Sequence, residues 1–127
     1  MRPTWAEIRL DRVASNYRSV KRFVGAGIAV MAVVKADAYG HGAIEVARYL
    51  ERQGADCFGV ALVEEGKALR QAGITAPIVC LGGFWQQARE CVDFGITPSI
   101  YRIDILQELE EAAQAAARKV PYHLKLD

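Results

Sequence analysis

Cysteine is scarce and odd in number in this 127-residue chain, with Cys57, Cys80 and Cys91 in no C-x-x-C spacing. Three thiols so placed cannot form a closed disulfide framework and do not suggest a thiolate metal site. They read as buried free thiols of a reduced compartment. An excess of charge of either sign is also lacking: sixteen basic residues against fifteen acidic leave a formal charge of +1. No electrostatic case exists for nucleic acid or an anionic membrane as partner. No apolar run approaches the ~20 residues a membrane helix needs. The opening "MRPTWAEIRLDR" lacks the continuous apolar stretch of a secretory signal. What remains, 52% hydrophobic and 24% charged, is the composition of a soluble globular protein, expected to be cytoplasmic.

The apolar residues are ordered in a repeating way. "TWAEIRL" reads as a short strand, and Asp11 can cap a following helix that sets Val13, Tyr17, Val20 and Val24 on one face before "GAG" ends it. "IAVMAVV", Ile28 to Val34, is too short and β-branched for an independent helix and reads as a buried strand. A helix from near Gly42 turns Ile44, Ala47 and Leu50 inward and stops at Gly54. The same unit then recurs. Strands are expected at "CFGVAL" (57–62) and "PIVCLG" (77–82), each with a helix closed by Gly73 or Gly95. "ITPSIY" (96–101) is a fourth strand, "DILQELEEAAQAAARK" a helix, and "VPYHLKLD" a fifth strand.

Strand–helix alternation requires a parallel sheet covered by helices, doubly wound or closed as a barrel. On "YHLKLD" the side chains of His123, Lys125 and Asp127 point one way, and Thr97, Ser99 and Tyr101 give the preceding strand a polar face too. A doubly wound sheet would bury that face under apolar helices, whereas a barrel can use it to line a polar site near its C-terminal mouth. The pattern favours α/β architecture as a partial (β/α)₈ TIM barrel: about the first five strands with connecting helices, preceded by a short N-terminal strand. Residues 1–10 would be that strand and 11–127 the first part of the barrel. Eight strands usually take ~250 residues. The chain is therefore expected to be the leading portion of something larger, with open edges that promote association.

The stretch "VVKADAYGHG" (33–42) carries the chemistry. Lys35 leaves its strand at the C-terminal end, where barrel enzymes keep their reactive groups. Apolar walls disfavour an ammonium, and a neutral amine is what attacks an aldehyde, so the setting suits a Schiff-base lysine. The small residues after it leave room for a planar ring, and the Tyr39 hydroxyl suits a phosphate oxygen. Spacing alone favours a plain lysine that leaves its strand to snorkel into water, common in α/β proteins.

"AVVKADAYGHG" resembles the cofactor-binding signature of the alanine racemases, pyridoxal-phosphate enzymes built on a TIM barrel. Further similarity runs from "WAEIRLDRVASNY" through "CFGVALVEEGKALRQAGITAPIVCLGG" to "HLKLD". The resemblance implies that Lys35 joins the pyridoxal 5'-phosphate and acts as base on the D-alanine face of the substrate. It implies that Tyr39 holds the cofactor phosphate, that Val33 and Leu81 wall the pocket, and that Lys125 stands where many members carry a carbamylated lysine. No metal is implied. The activity implied is interconversion of L- and D-alanine, supplying D-alanine for peptidoglycan, in a homodimer whose partner subunit contributes the second base. This chain alone is then expected to turn over little, and a non-catalytic pyridoxal-phosphate-binding module or assembly fragment is the alternative.

Other groups read more plainly. His41 suits a loop-shaping hydrogen bond, and His123 either orients Lys125 or is a satisfied barrel histidine. Glu64 and Glu65 read as partners of a helix N-terminus. "LGGFW" lacks the spacing and lysine of a phosphate loop and reads as a turn. The run Glu108 to Glu111 reads as a solvated helix face.

Overall fold

The computed structural model describes residues 4–126. A first helix, α1 (Leu10–Val24), leads into four βα-type units and a fifth strand: β1 (Met31–Val33), a short turn of helix α2 (Lys35–Gly40), α3 (Ala43–Arg52), β2 (Cys57–Val60), α4 (Val63–Gln71), β3 (Ile78–Cys80), α5 (Ala88–Phe94), β4 (Ile96–Ile100), α6 (Ile103–Ala115) and β5 (His123–Leu124). All five strands are parallel and their order in the sheet is their order in the chain. That order decides between the two architectures left open above. A doubly wound sheet reverses its strand order at a switch point. Right-handed crossovers without a reversal place every helix on one face, which is the start of a barrel.

The two faces differ accordingly. Phe58, Val60, Ile78, Cys80, Ile96 and Ile100 point toward the helices and form one core with Val46, Ala47, Leu50, Val63, Leu69, Val92 and Leu109. The residues that alternate with them, Met31, Val33, Gly59, Val79, Leu81, Thr97, Ser99, His123 and Lys125, line the other face, which no helix among the described residues covers. The mixed polarity that sequence alternation assigns to the last two strands thus falls on the interior of the barrel. The three cysteines are free, with Cys80 and Cys91 buried, and no helix among the described residues is long and apolar enough to cross a membrane.

Three expectations need correction. The opening strand is not formed within the described residues: 4–9 pair with no other strand, and an isolated extended segment has no ladder to join. Residues 1–3 of that stretch, and Asp127, lie outside the described residues. Asp11 does not cap α1. The helix begins two residues earlier than that cap would require, and Asp11 sits in its first turn with its carboxylate on the Arg9 guanidinium (3.1 Å). Of the predicted inward face, Tyr17 is buried with Ala14, while Val20 and Val24 remain exposed because α1 lies at the open edge of the sheet.

The strand expected from Ile28 joins the ladder only at Met31, because side chains satisfy the earlier residues. Asp56 Oδ2 accepts from Val30 N (2.7 Å), from Lys21 Nζ (2.5 Å) and from the Tyr17 hydroxyl (3.1 Å), and Lys21 also donates to Ile28 O (2.6 Å). This cluster pins α1 to the amino ends of β1 and β2. The Lys21 hydrogen bond, followed by that of Val30 N, holds the Asp56 carboxyl below its usual range. A carboxyl depressed by folding contributes stability that is fully present above the unfolded value, near 3.9, and is lost as pH falls through the lower folded value. The stability gap between the native protein and Asp56→Asn is therefore expected to be constant above about pH 5 and to shrink below about pH 4. Urea melts across that range check it. A gap that stays constant to pH 2 removes the role assigned to this carboxylate.

Candidate functional site at the mouth of the first strand

Lys35 stands two residues past the end of β1, on the same side as Met31 and Val33, at the carboxyl end of the sheet. Its side chain is half-buried. The segment behind it is not the irregular loop that its small residues suggest. Ala36, Asp37, Ala38 and Tyr39 have φ of 49°, 54°, 52° and 56°, so four consecutive non-glycine residues form one turn of left-handed helix. For L-residues this conformation costs roughly 1–2 kcal/mol each, about 4–8 kcal/mol for the turn. Its return is placement. Tyr39 comes back over the lysine, with Lys35 Nζ 6.0 Å from the centre of its ring. A right-handed continuation or an extended loop would carry the phenol elsewhere.

The turn is held at several points. Ala38 N donates to Val34 O (2.9 Å), and the buried Ala38 methyl anchors the inner side. Asp37 Oδ1 accepts from Ala43 N (2.7 Å), the first residue of α3, and Asp37 O accepts from Gly42 N (3.0 Å). His41 Nδ1 lies 2.8 Å from Ala38 O, the loop-shaping bond expected of it, with the ring nitrogen as donor. Glu65, read from sequence as a partner of the α4 N-terminus, does more. One oxygen accepts from Ala61 N (2.7 Å) and Leu62 N (3.1 Å), and the other reaches across to Ala36 N (2.7 Å). Sequence reasoning missed that link. Its only sequence signal is a glutamate three residues after a strand end, which any capped helix shares.

The other predicted site residues gather on the open inner face. Gly59, beside Val33 in the ladder, carries no side chain. A Cβ there would lie 3.3 Å from both Val33 Cγ2 and Leu81 Cδ1, so these two aliphatic groups flank the same spot. Both turn partly outward, 39% and 41% exposed, and Tyr39 is 62% exposed. A cavity of about 760 Å³ runs from Leu81 past Ser99 to His123 and Lys125. Lys125 continues the ladder through its backbone N–H to Ile100 O (2.8 Å), on the face His123 shares. "LGGFW" is a turn, as read, and a close one. Gly82 N donates to Ala61 O (3.2 Å), and a Cβ at Gly82 would sit 2.4 Å from that oxygen.

An amine, a phenol beside it and two aliphatic side chains at the carboxyl ends of parallel strands place the candidate site residues of a β/α-barrel protein at the barrel mouth. The comparisons with known proteins give the family. Residues 8–127 match the family described as alanine racemase, N-terminal domain, and the chain belongs to it. It is 41% identical to alanine racemase 1 of Caldanaerobacter subterraneus subsp. tengcongensis, covering all of this chain and 33% of that protein. It is likewise 41% identical to alanine racemase 2 of Bacillus subtilis, over 99% of the chain and 33% of the relative. The chain thus spans about a third of the length of the curated relatives it matches. Among solved structures, an alanine racemase of Clostridium difficile in complex with cycloserine superposes with a TM-score of 0.94 at 40% identity, over 98% of this chain and 35% of that one. The alanine racemase of Bartonella henselae with covalently bound pyridoxal phosphate gives 0.80 at 32% identity, over 91% of this chain and 32% of that one.

Proposed function

We propose that this chain supplies the Lys35 half of an alanine racemase site that uses pyridoxal 5'-phosphate to interconvert L- and D-alanine. The observation that carries the proposal is Lys35 at the mouth of β1, with the Tyr39 ring brought to 6.0 Å by a left-handed turn. The residues present fit the group: an amine for its aldehyde, a phenol for its phosphate, and Val33 and Leu81 as aliphatic walls for a planar ring. The covalently held pyridoxal phosphate of the Bartonella relative and the cycloserine complex of the Clostridium one support the same ligand class.

Once bound, the cofactor supplies an aldehyde that engages both lysine and substrate amine, and a conjugated ring that draws electron density from the substrate Cα. Lys35 gives the cofactor its point of attachment. With its nitrogen free, Lys35 Nζ would stand on one face of the substrate Cα, the D-alanine face, and move a proton there. Tyr39 donates its phenolic proton to a phosphate oxygen and fixes the ring's distance from β1. Val33 and Leu81 exclude water from one side of the ring, which strengthens the polar contacts made there. Lys125, on the interior face with His123, is proposed as a carbamylated lysine that braces the cofactor's surroundings. Inversion needs a second proton-transfer group on the opposite face. A homodimer is proposed to provide it, in a cytoplasmic enzyme that makes D-alanine for peptidoglycan.

Exposure of the purified protein to pyridoxal phosphate, followed by borohydride and peptide mass analysis, is expected to leave one stable adduct, on Lys35. Adducts spread over surface lysines would overturn the assignment. Strong labelling of Lys35 without racemisation would instead support a binding module.

A further inference from the structure

We propose that Glu65 is a positioning residue for this site, holding the Lys35–Tyr39 turn in its left-handed form. The inference rests on the reading of Lys35 and Tyr39 given above. Four α-left residues without glycine do not persist on local preference, so the surroundings must select them. The backbone bond from Ala38 N, the Asp37 contacts and the His41 contact all lie within residues 34–43. They hold the turn together and tie it back to the end of β1, but none of these bonds reaches the connection that follows β2. Glu65 is the contact that does. Its carboxylate binds the N–H of Ala36, the first left-handed residue, and the N–H groups of Ala61 and Leu62 at the end of β2. Three donors on one carboxylate lock the turn's first peptide to a rigid strand end. Charge-assisted bonds of this kind are stronger than neutral ones. The ladder, through Val34 N to Gly59 O, sets where the chain leaves β1; the Glu65 anchor at Ala36 N sets the direction in which the turn, and with it Tyr39, departs.

A matched control exists at the far end of the sheet. Glu51 uses one oxygen to accept from Thr75 N (2.8 Å), Thr75 Oγ1 (3.0 Å) and Ala76 N (2.7 Å), an equally bonded carboxylate at the amino end of β3. If Glu65 matters only for folding, the two should behave alike.

The test compares Glu65→Ala, Glu65→Gln and Glu51→Ala in the protein as its own gene encodes it. Each is titrated with pyridoxal phosphate, trapped with borohydride at Lys35, and melted. Glu65→Ala is expected to weaken cofactor binding at least tenfold and to slow trapping at Lys35. Glu65→Gln keeps the shape but turns an NH₂ toward backbone donors, and is expected to fold and lose threefold or more. Glu51→Ala is expected to melt earlier yet to bind cofactor within twofold of the native protein. Glu65 variants that bind and trap like the native protein would overturn the positioning role while leaving the function of Lys35 intact. So would losses in the Glu51 and Glu65 variants that run in parallel with melting. A native protein that does not trap at Lys35 would instead overturn the reading of the site itself.

Discussion

In the full-length homodimer proposed above, Lys35→Ala is expected to abolish racemisation, by a factor of about 10³ or more, without unfolding the protein. Positioned acid–base groups commonly contribute 10²–10⁴, and here the same atom is also the proposed attachment point of the cofactor. The backbone around it does not depend on its side chain. Val34 N donates to Gly59 O (2.8 Å) and Ala38 N to Val34 O (2.9 Å), so the ladder and the turn survive truncation at Cβ. Away from the core, such a change moves stability by only about 0.5 kcal/mol. The measurement is exchange of the substrate α-proton in D₂O together with optical rotation, beside a melt of the same sample. Activity within tenfold of the native protein at an unchanged melting temperature would remove Lys35 from the chemistry.

Sequence was most informative where one physical rule acted alone. Fully buried parallel strands are runs of β-branched residues whatever else the fold does. The cores of "CFGVAL", "PIVCLG" and "ITPSIY" accordingly appear as β2, β3 and β4, shortened by a residue or two at some ends. The stop glycines worked for a similar reason: Gly54, Gly73 and Gly95 all have positive φ, where other residues would be strained. Alternation on β4 and β5 assigned the polar interior face before any strand order was available.

The misses are places where tertiary contacts override local preference. Nothing in "ADAY" marks a left-handed turn, because alanine and tyrosine disfavour it. Only the neighbouring Gly40 and Gly42, both at φ 84°, hint at unusual backbone. Asp56 takes over the ladder's role at Val30, and Glu65 reaches Ala36 from 29 residues away, links that no periodicity carries. The site's two main groups were therefore legible by type and place. The geometry that brings them together was not.

Arg70→Ala is expected to produce the largest loss of stability among the charged residues, about 3–5 kcal/mol. Its guanidinium is half-buried beneath the amino end of the sheet and donates to four carbonyls: Phe94 O (3.0 Å), Ile74 O (2.9 Å), Ala76 O (2.7 Å) and Gly95 O (3.0 Å). These belong to two separate connections, from α4 to β3 and from α5 to β4. One planar fork thus holds the entry of two strands. Burial pulls the guanidinium's proton affinity down and Glu51 offsets part of the change; an arginine side chain stays protonated in proteins, so all its donors are present. Hydrogen bonds to a charged group contribute about 1.5–3 kcal/mol each, and orphaned carbonyls add a desolvation cost. Partial access of water to the vacated space brings the sum down to the figure given. Against the 5–15 kcal/mol typical of a domain, this is a large share. Lysine carries the charge as a point and can reach only some of the four oxygens, so Arg70→Lys should recover less than half of the loss. Urea melts decide it through a lowered midpoint at constant m-value. An Arg70→Lys variant as stable as the native protein would mean that charge, not the geometry of the fork, holds these two strand entries together.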